Sequence, residues 1–416
     1  MSPVTATVRL GDPDVADVIL GQSPPSSTYN EQSIGLPFYQ GKADFGLMHP
    51  TPRVWCTEGN KFARPADVLI SVRAPVGDVN MATEAAVVGR GVSVIRAAKG
   101  VEPWYLYFSL AFMKPVLEAQ ATGSTFASVN STTLRELEIP FFPLEDQVAI
   151  GRSLRFLLTQ IQQEEAALST TTETKRSTMQ QLFSRGLRGE AQKETEIGRI
   201  PESWELIRLG ELGRIGNGST PKRSTGAYWD GGTFPWLNSA KVYDRDIQDA
   251  DQFVTDVALK ECHLPVLEPG AVLVAITGQG KTLGNAAVLS IRATINQHLA
   301  YLQTDLEKAE PKFVRAYLET QYDHLRAVAS GGGSTKGALT CGFLRGMTVP
   351  WPPTIIEQQE IVEVLDALDR KIELLGRKRD VLDQLFKSLL HKLMTGEISV
   401  ADLDLSALPS IDGTAA

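Results

Sequence analysis

A sustained apolar pattern runs through residues 353–396, near the end of the chain. Apolar residues recur there at alternating steps of four and three, and only Arg379 interrupts them. This spacing places one narrow stripe on a helix, as in the seam of a coiled coil. At 1.5 Å per residue the helix would be roughly 65 Å long, and it needs a partner to bury its stripe. The predicted seam positions are Ile361, Leu365, Leu368, Ile372, Leu375, Leu382, Phe386, Leu389 and Leu393.

The partner lies in the same chain. Subtracting 211 from the seam positions gives a second set in the same register, which turns polar after Leu168. The shared register within one chain favours pairing of the two helices with each other over pairing between chains. The apolar seam positions of this first helix are Ile150, Leu154, Leu157, Ile161, Leu168 and Leu182.

Each long helix follows a globular half, and the two halves share an order of landmarks. Turn clusters at residues 21–24 and 218–221 precede strand-like apolar runs at 67–71 and 271–275, and proline-rich segments at 139–143 and 349–353 lead into the helices. A period of this length indicates a duplicated module rather than a solenoid. We therefore predict an α+β protein, with two tandem domains of short strands and helices and two long helices pairing as an antiparallel coiled coil with pseudo-two-fold symmetry. The predicted divisions are 1–142 (first domain), 143–186 (first long helix), 187–203 (linker), 204–352 (second domain), 353–396 (second long helix) and 397–416 (acidic tail).

Bulk composition narrows the class of protein. A chain of 416 residues with 43% apolar content is typical of a globular protein with two or more domains. No apolar run approaches the ~18 residues of a membrane span, and the N-terminus lacks a signal pattern, so we expect a cytoplasmic protein. Cys56, Cys262 and Cys341 show no paired spacing, which indicates neither a disulfide framework nor a metal site. The net charge of -8 argues against simple nonspecific nucleic-acid binding.

Several short motifs recur in a fixed order. In the second half these are residues 200–204 (IPESW), 209–211 (LGE), 218–222 (GSTPK), 235–236 (PW), 294–297 (TINQ) and 333–335 (GST), followed by the run from 349 to 358 into the helix. In this order, and with two long helices, the chain resembles the DNA specificity (S) subunits of type I restriction-modification systems. The first half departs more, because residues 22–24 (QSP) replace the Gly-Thr-Pro form and residues 88–91 (VGRG) stand about where the second half has 296–297 (NQ). The DNA bases preferred by the first half should therefore differ from those preferred by the second half.

This resemblance implies a non-catalytic subunit that binds double-stranded DNA. Two target recognition domains would each read half of a bipartite, asymmetric site, and the long helices would set the spacer. The partners would be two methyltransferase subunits, which dock on the helices, and restriction/translocase subunits. S-adenosylmethionine, ATP and magnesium would belong to those partners, so no cofactor is expected for this chain.

Base reading requires donors and acceptors on loops, chiefly Arg, Lys, Asn and Gln, whereas phosphates are contacted by Lys, Arg, Ser and Thr. Polar loops of this type flank the turns and strands of both halves. The candidates for DNA contact are Gln22, Ser23, Gln40, Lys42, Arg73, Ser124 and Thr125 in the first half, and Ser219, Thr220, Lys222, Arg223, Lys241, Lys281 and Lys336 in the second.

Two enzymatic interpretations are disfavoured. Residues 275–282 (AITGQGKT) fit a relaxed nucleotide-binding loop, but a turn and a strand follow where a phosphate-binding helix should begin. Residues 351–354 (WPPT) have the wrong order for a base-methylation motif, so they are better explained as the start of a helix. The alternatives that remain are a coiled-coil scaffold or oligomerisation protein without sequence-specific DNA binding, and an ATPase that uses Lys281.

Overall fold

The computed structural model describes residues 6–121, 128–278, 280–331 and 338–403. The chain divides into two compact units, one comprising Met1–Leu168 with Leu374–Ala416 and the other comprising Ser169–Glu373. Each unit therefore combines one globular half with one segment of each long helix. They are called unit 1 and unit 2 below.

The globular part of unit 1 contains eleven strands and three α-helices among the described residues. Its strands are β1 (Ala6–Arg9), β2 (Ala16–Leu20), β3 (Tyr29–Asn30), β4 (Leu36–Tyr39), β5 (Trp55–Cys56), β6 (Phe62–Ala63), β7 (Val68–Ser71), β8 (Val79–Met81), β9 (Ala86–Val88), β10 (Val92–Ala97) and β11 (Glu138–Phe141). Its helices are α1 (Pro103–Phe112), α2 (Lys114–Gln120) and α3 (Ser131–Glu136).

The first long helix, α4 (Leu144–Arg185), leads into the globular part of unit 2. The strands of this part are β12 (Gln192–Thr195), β13 (Gly198–Pro201), β14 (Glu205–Arg208), β15 (Gly213–Asn217), β16 (Phe234–Leu237), β17 (Asp246–Ile247), β18 (Gln252–Val254), β19 (Ala271–Ala275), β20 (Ala286–Leu289), β21 (Thr294–Ile295), β22 (Leu299–Thr304) and β23 (Thr348–Trp351). The helices are α5 (Asp256–Glu261), α6 (Pro311–Thr320), α7 (Tyr322–Gly331) and α8 (Cys341–Gly346), and the second long helix is α9 (Ile355–Met394).

One sheet in each globular part has the same strand order. An antiparallel sheet in the order β2-β10-β7-β8 in unit 1 corresponds to β15-β22-β19-β20 in unit 2, where β17 is added at the edge. A parallel strand pair occurs in both, β4 with β9 and β16 with β21. The strand before each long helix also pairs with the strand that opens its half, β11 with β1 and β23 with β14. The repeat in the sequence thus corresponds to a repeat of strand order.

Local sequence explains where the long helices begin and end. Proline at 143 precedes α4 and prolines at 352 and 353 precede α9, and proline suits the first helical turn because it has no N–H to satisfy. The Thr354 hydroxyl accepts a hydrogen bond from Glu357 N at 3.2 Å, which caps α9. Glycines with positive φ follow both helices, Gly186 at +64° and Gly396 at +73°. Glycine is the usual residue at this position, because it adopts the left-handed conformation that ends a helix without a steric penalty.

In unit 1 the start of α4 packs against the end of α9. Ile150, Leu154, Leu158 and Ile161 share one buried core with Leu393 and Met394, which also receives residues from α1 and the first sheet. Leu158 is 5% exposed, whereas the predicted seam residue Leu157 is only half-buried. The helix carries a globular domain as well as its partner helix, so it buries a broader face than a two-helix seam requires.

In unit 2 the end of α4 packs against the start of α9. Met179, Leu182 and Phe183 share a core with Ile361, Val362 and Leu365. The two helices therefore run antiparallel within each unit. The seam positions of α9 between Leu368 and Leu389 are half-buried.

The same pair of contacts fastens each globular part to the long helix that follows it. The backbone N–H of Glu102, which caps α1, donates to Gln147 Oε1 of α4 at 3.0 Å. The backbone N–H of Glu310, which caps α6, donates to Gln358 Oε1 of α9 at 2.9 Å. The predicted α+β class, the tandem halves and the antiparallel helix pairing are confirmed. None of the helices in the described ranges is long and apolar enough to cross a membrane.

Candidate nucleic-acid interface

In unit 1 the turn after β2 packs closely against the turn between β9 and β10. A Cβ on Gly21 would lie 2.2 Å from Gly89 O, so this approach requires glycine. Gln22 N donates to Val88 O at 2.9 Å, and Arg90 N donates to Ser23 Oγ at 3.2 Å. This packing places two predicted contact residues next to an exposed arginine.

Gln40 joins the same group. A Cβ on Gly91 would lie 2.1 Å from Gln40 O, so the end of β4 lies against the arginine turn. The side chains of Gln22, Gln40 and Arg90 are exposed there. We refer to Gln22, Ser23, Gln40 and Arg90 as the first edge.

Unit 2 repeats the arrangement with different side chains. A Cβ on Gly218 would lie 1.8 Å from Ile295 O, and Ser219 N donates to Ile295 O at 3.1 Å. The turn after β15 therefore packs on the turn between β21 and β22. Thr220 Oγ1 donates to Gln297 Oε1 at 2.5 Å across this contact.

A chain of side-chain hydrogen bonds continues from Gln297. Because its Oε1 accepts from Thr220, its Nε2 is a donor, and it lies 3.2 Å from His298 Nε2. On the other side of the ring, His298 Nδ1 is hydrogen-bonded to Thr277 Oγ1. We refer to Thr220, Thr277, Gln297 and His298 as the second edge. Gln297 and His298 are exposed, yet their side chains are held in place.

Two tryptophans pack against the loop formed by residues 219–224. The guanidinium carbon of Arg223 lies 3.8 Å from the ring centre of Trp229 and 4.8 Å from that of Trp236, and Nη2 donates to Gln252 Oε1 at 2.5 Å. Both indole N–H groups donate back to the same loop, to Lys222 O at 3.2 Å and to Ser219 O at 3.1 Å. Stacking on indole faces stabilises a cation. Arg223 is thus ordered, and Lys222 is exposed beside it.

Lys241 is placed differently from the other predicted contacts. Its ammonium lies 3.0 Å from Asp244, 2.6 Å from Asp249 and 3.5 Å from Asp251, and its side chain is 12% exposed. The hydrogen bond to Asp249 raises the pKa of Lys241 above its ordinary value. Its charge is neutralised within the domain, which speaks against a phosphate contact.

The remaining candidates are dispersed. Lys42 contacts Asp78 at 3.3 Å, and Arg73 is exposed next to a bridge with Ser128. Lys281 is exposed in a turn that leads to β20, and no helix begins there, so the phosphate-binding alternative lacks its helix. Ser124, Thr125 and Lys336 lie outside the described residues.

The structure also brings in residues that the sequence did not single out as contacts. Arg90 and Gln297 belong to the segments that stand at equivalent places in the two halves, 88–91 and 294–297. That correspondence was the available signal. His298 carried no signal of its own, because its role follows from hydrogen bonds with side chains distant in sequence.

Comparison with known proteins identifies the class. The model of the type I restriction modification DNA specificity domain matches the chain twice, over residues 7–170 and 201–384. The protein belongs to this family of type I restriction-modification specificity subunits.

Individual relatives agree with the family match. The chain is 41% identical over 149 residues to the putative type I restriction enzyme MjaX specificity subunit of Methanocaldococcus jannaschii, a match that covers 36% of this chain and 35% of the relative. The MjaVIII specificity subunit of the same organism is 24% identical over 311 residues, covering 74% of this chain and 72% of the relative. The match to MjaX thus spans about a third of that relative's length.

Solved structures share the fold. The type I restriction-modification S subunit from M. genitalium superposes with a TM-score of 0.65 at 16% identity, covering 95% of this chain and 97% of that one. A second structure, described as the basis of complex assembly and conformational transition of the type I R-M system, gives a TM-score of 0.56 at 21% identity over 95% of this chain and 99% of that one. At these identities the likeness concerns the fold alone.

Proposed function

We propose that this chain is the non-catalytic DNA-recognition subunit of a type I restriction-modification complex, and that it reads a bipartite, asymmetric site. The first edge reads one half-site and the second edge reads the other. One observation carries the proposal: the same pair of turns is packed together in both units, through Gly21 and through Gly218, while the side chains they present differ. A duplicated frame with different polar tips is what an asymmetric two-part site requires.

The residue types suggest the base chemistry. Arginine pairs bidentately with the O6 and N7 atoms of guanine, and glutamine with the N6 and N7 atoms of adenine. Arg90 therefore fits a guanine in the half-site of the first edge, and Gln297 fits an adenine in that of the second. In this proposal Lys222, which is exposed, contacts a neighbouring phosphate.

The long helices act as the spacer and as the docking surface for partner subunits. On α9, Leu374 is 65% exposed, Val381 is 63% exposed and Leu385 is 48% exposed, at the helical steps of seven and four that place them along one side. An apolar stripe of this kind in water favours association with another protein. Its occupant in this proposal is a methyltransferase subunit, two of which join the complex together with restriction/translocase subunits. Those partners carry out all of the catalysis.

The experiment is to co-express the chain with the methyltransferase subunit of its own system and to map the methylated bases across a genome. The expected result is a two-part motif with a fixed unspecified gap. Replacing the first globular half with a second copy of the second half should give a symmetric motif, because both half-sites are then read by the same domain. If methylation were absent, or if the motif had no gap, the recognition proposal would fail and the coiled-coil scaffold would become the better explanation.

A matched insertion tests the spacer. Seven residues added to α4 after Leu168 and seven added to α9 at the opposite point keep the seam in register. At 1.5 Å per residue this lengthens the pair by about 10 Å, or about three base pairs at 3.4 Å each. The gap should grow by that amount while both half-sites stay the same. An unchanged gap would show that the helices do not act as the ruler.

A further inference from the structure

A ring of four charged groups joins the globular part of unit 2 to both long helices. Lys175 of α4 lies 2.8 Å from Glu319 of α6 and 2.8 Å from Asp369 of α9. Arg245, in the turn before β17, lies 3.1 Å from Glu319 and 2.6 Å from Asp369. Each cation therefore contacts both carboxylates. Lys175 is 5% exposed, so the ring is shielded from solvent on one side.

A second charged layer lies next to this ring. Lys312 of α6 lies 3.0 Å from Asp366 of α9, and Arg315 of α6 lies 3.2 Å from Asp246, the first residue of β17. Arg315 is 3% exposed. One face of α6 is thus attached by charges to α9 and to the start of β17. We call this arrangement the charged joint, comprising Lys175, Arg245, Asp246, Lys312, Arg315, Glu319, Asp366 and Asp369.

The backbone at Arg245 is unusual. Its φ of +60° is a conformation that residues other than glycine rarely adopt. From this position the guanidinium contacts the two carboxylates of the ring. The residue that makes these ionic contacts therefore has an unfavourable backbone conformation.

In unit 1 the globular part is attached to the long helices by apolar and aromatic contacts instead of a charged ring. When α1 and α6 are aligned on their capping residues Glu102 and Glu310, Trp104, Tyr107 and Ala111 stand where α6 has Lys312, Arg315 and Glu319. On the long helices, 211 residues apart, Phe386 and Leu158 stand where unit 2 has Lys175 and Asp369. The contacts are correspondingly aromatic: Phe108 lies 5.9 Å from Phe386, and Arg155 stacks over Trp104 at 4.8 Å.

The comparison shows that an apolar contact is sufficient to hold a domain on the helices. Buried ion pairs add little stability over a well-packed apolar set, because both partners must be removed from water. The charged joint also has polar atoms left over, since neither Arg315 Nε nor Asp369 Oδ2 has a partner within the described residues. Ion pairs do differ from apolar contacts in one respect, which is that they are directional and specify one register.

We propose that the charged joint is a positioning device that fixes the orientation of the second recognition domain on its helix segments, and so holds the second edge at one distance along the DNA. Its residues contact no base, and they act through the domain they hold. This inference rests on the proposed reading of a bipartite site. It predicts that the gap, rather than the half-site sequences, depends on the charged joint.

The test replaces part of the ring with the residues that unit 1 uses. The double variant K175F/D369L removes one cation and one anion, so the charge stays balanced and the Arg245–Glu319 pair remains. We expect a folded protein that methylates the same two half-sites, but with neighbouring gap lengths accepted about tenfold more often than by the wild type, because a domain that is no longer held in one orientation can reach a half-site displaced by one base pair. Each variant is assembled with the methyltransferase subunit. We then measure methylation of plasmids that carry the motif with gaps one base pair shorter and one base pair longer.

A second variant guards against a folding defect. R245G removes the guanidinium from a half-exposed turn, relieves the positive φ and leaves both long helices intact, and it should relax the gap in the same way. The control is E164L/K378L, which removes an ion pair of 2.5 Å between the long helices in unit 1 and should leave the gap unchanged. If R245G or K175F/D369L is folded and keeps the single wild-type gap, the inference is wrong. If the wild type itself shows no gapped motif, the proposed function fails instead.

Discussion

The first and second edges are built on the same frame but are ordered to different degrees. In the first edge, Arg90 lies in a turn between two glycines. The Ser23 hydroxyl accepts a hydrogen bond from the backbone N–H of Arg90 and so links the two turns. In the second, four side chains are linked through Gln297 and His298. Side chains fixed in advance lose less conformational freedom on binding and tolerate fewer alternatives. The difference teaches that one duplicated frame can carry side chains of different order, so in the proposed function the first edge is the adaptable reader and the second edge the preorganised one.

The largest expected effect comes from the glycines that define both edges. Gly218→Ala brings a Cβ to 1.8 Å from Ile295 O, and Gly21→Ala brings one to 2.2 Å from Gly89 O. Each variant should lower the free energy of unfolding by about 1–3 kcal/mol, and Gly218→Ala should be the more damaging because its approach is closer. Thermal denaturation of the full chain measures the loss. Gly346→Ala, where a Cβ would meet nothing within 4 Å, is the matched control.

The next effect separates the two edges by specificity. Gln297→Ala removes the central member of the chain in the second edge, so discrimination at one position of its half-site should fall by about 10–100-fold, equivalent to about 1–3 kcal/mol. Methylation of substrates that differ by one base at each position gives the ratio. Gln248→Ala changes an exposed glutamine of the same domain and should have no such effect. If Gln297→Ala and Gln248→Ala discriminate between bases equally well, Gln297 does not read a base.

A smaller loss of discrimination is expected from the first edge. Arg90→Lys keeps the positive charge but loses the fork that pairs with guanine. Because the Arg90 side chain makes no hydrogen bond within the described residues and is free to adjust, discrimination should decrease less than in Gln297→Ala, while overall affinity changes little. Competition binding with guanine-substituted half-sites measures both quantities. A greater loss than in Gln297→Ala would reverse the assignment of the adaptable and the preorganised edge.

The smallest effect concerns two lysines of unit 2. Lys222→Ala should reduce the slope of log affinity against log salt by about one, as expected for one phosphate contact. Lys241→Ala should leave the slope unchanged, since three aspartates already neutralise that ammonium. Salt titrations of the two variants in the assembled complex compare them directly. A loss of slope in Lys241→Ala would show that DNA displaces the aspartates.

The sequence was sufficient for the parts of the fold that depend on local periodicity. The apolar steps of four and three predicted both long helices, and the recurrence after 211 residues predicted their pairing. The apolar run at 271–275 is β19 (Ala271–Ala275). At Leu157 the pattern was less informative, because the more deeply buried residue is its neighbour Leu158, which also packs against the globular domain.

The candidate site was less predictable because it depends on contacts between distant turns. Thr220 and Gln297 are 77 residues apart, and nothing in either segment reports the hydrogen bond between them. Residue type alone also does not report whether a charge is already paired, as it is at Lys241. Its three aspartate partners all lie within the next ten residues of the chain, so the local cluster of acids was a visible warning.

The division of the chain into two units has a consequence for how the protein is made. The core of unit 1 includes Leu393, Met394 and Val400, which the ribosome synthesises long after the strands they cover. Domains commonly fold in the order in which they are translated. Here unit 2, a continuous stretch from Ser169 to Glu373, can complete its fold first, whereas unit 1 must wait for the last segment of the chain. During translation the unit that begins first is therefore the one that finishes last, and its unfinished apolar surface is what a chaperone would meet.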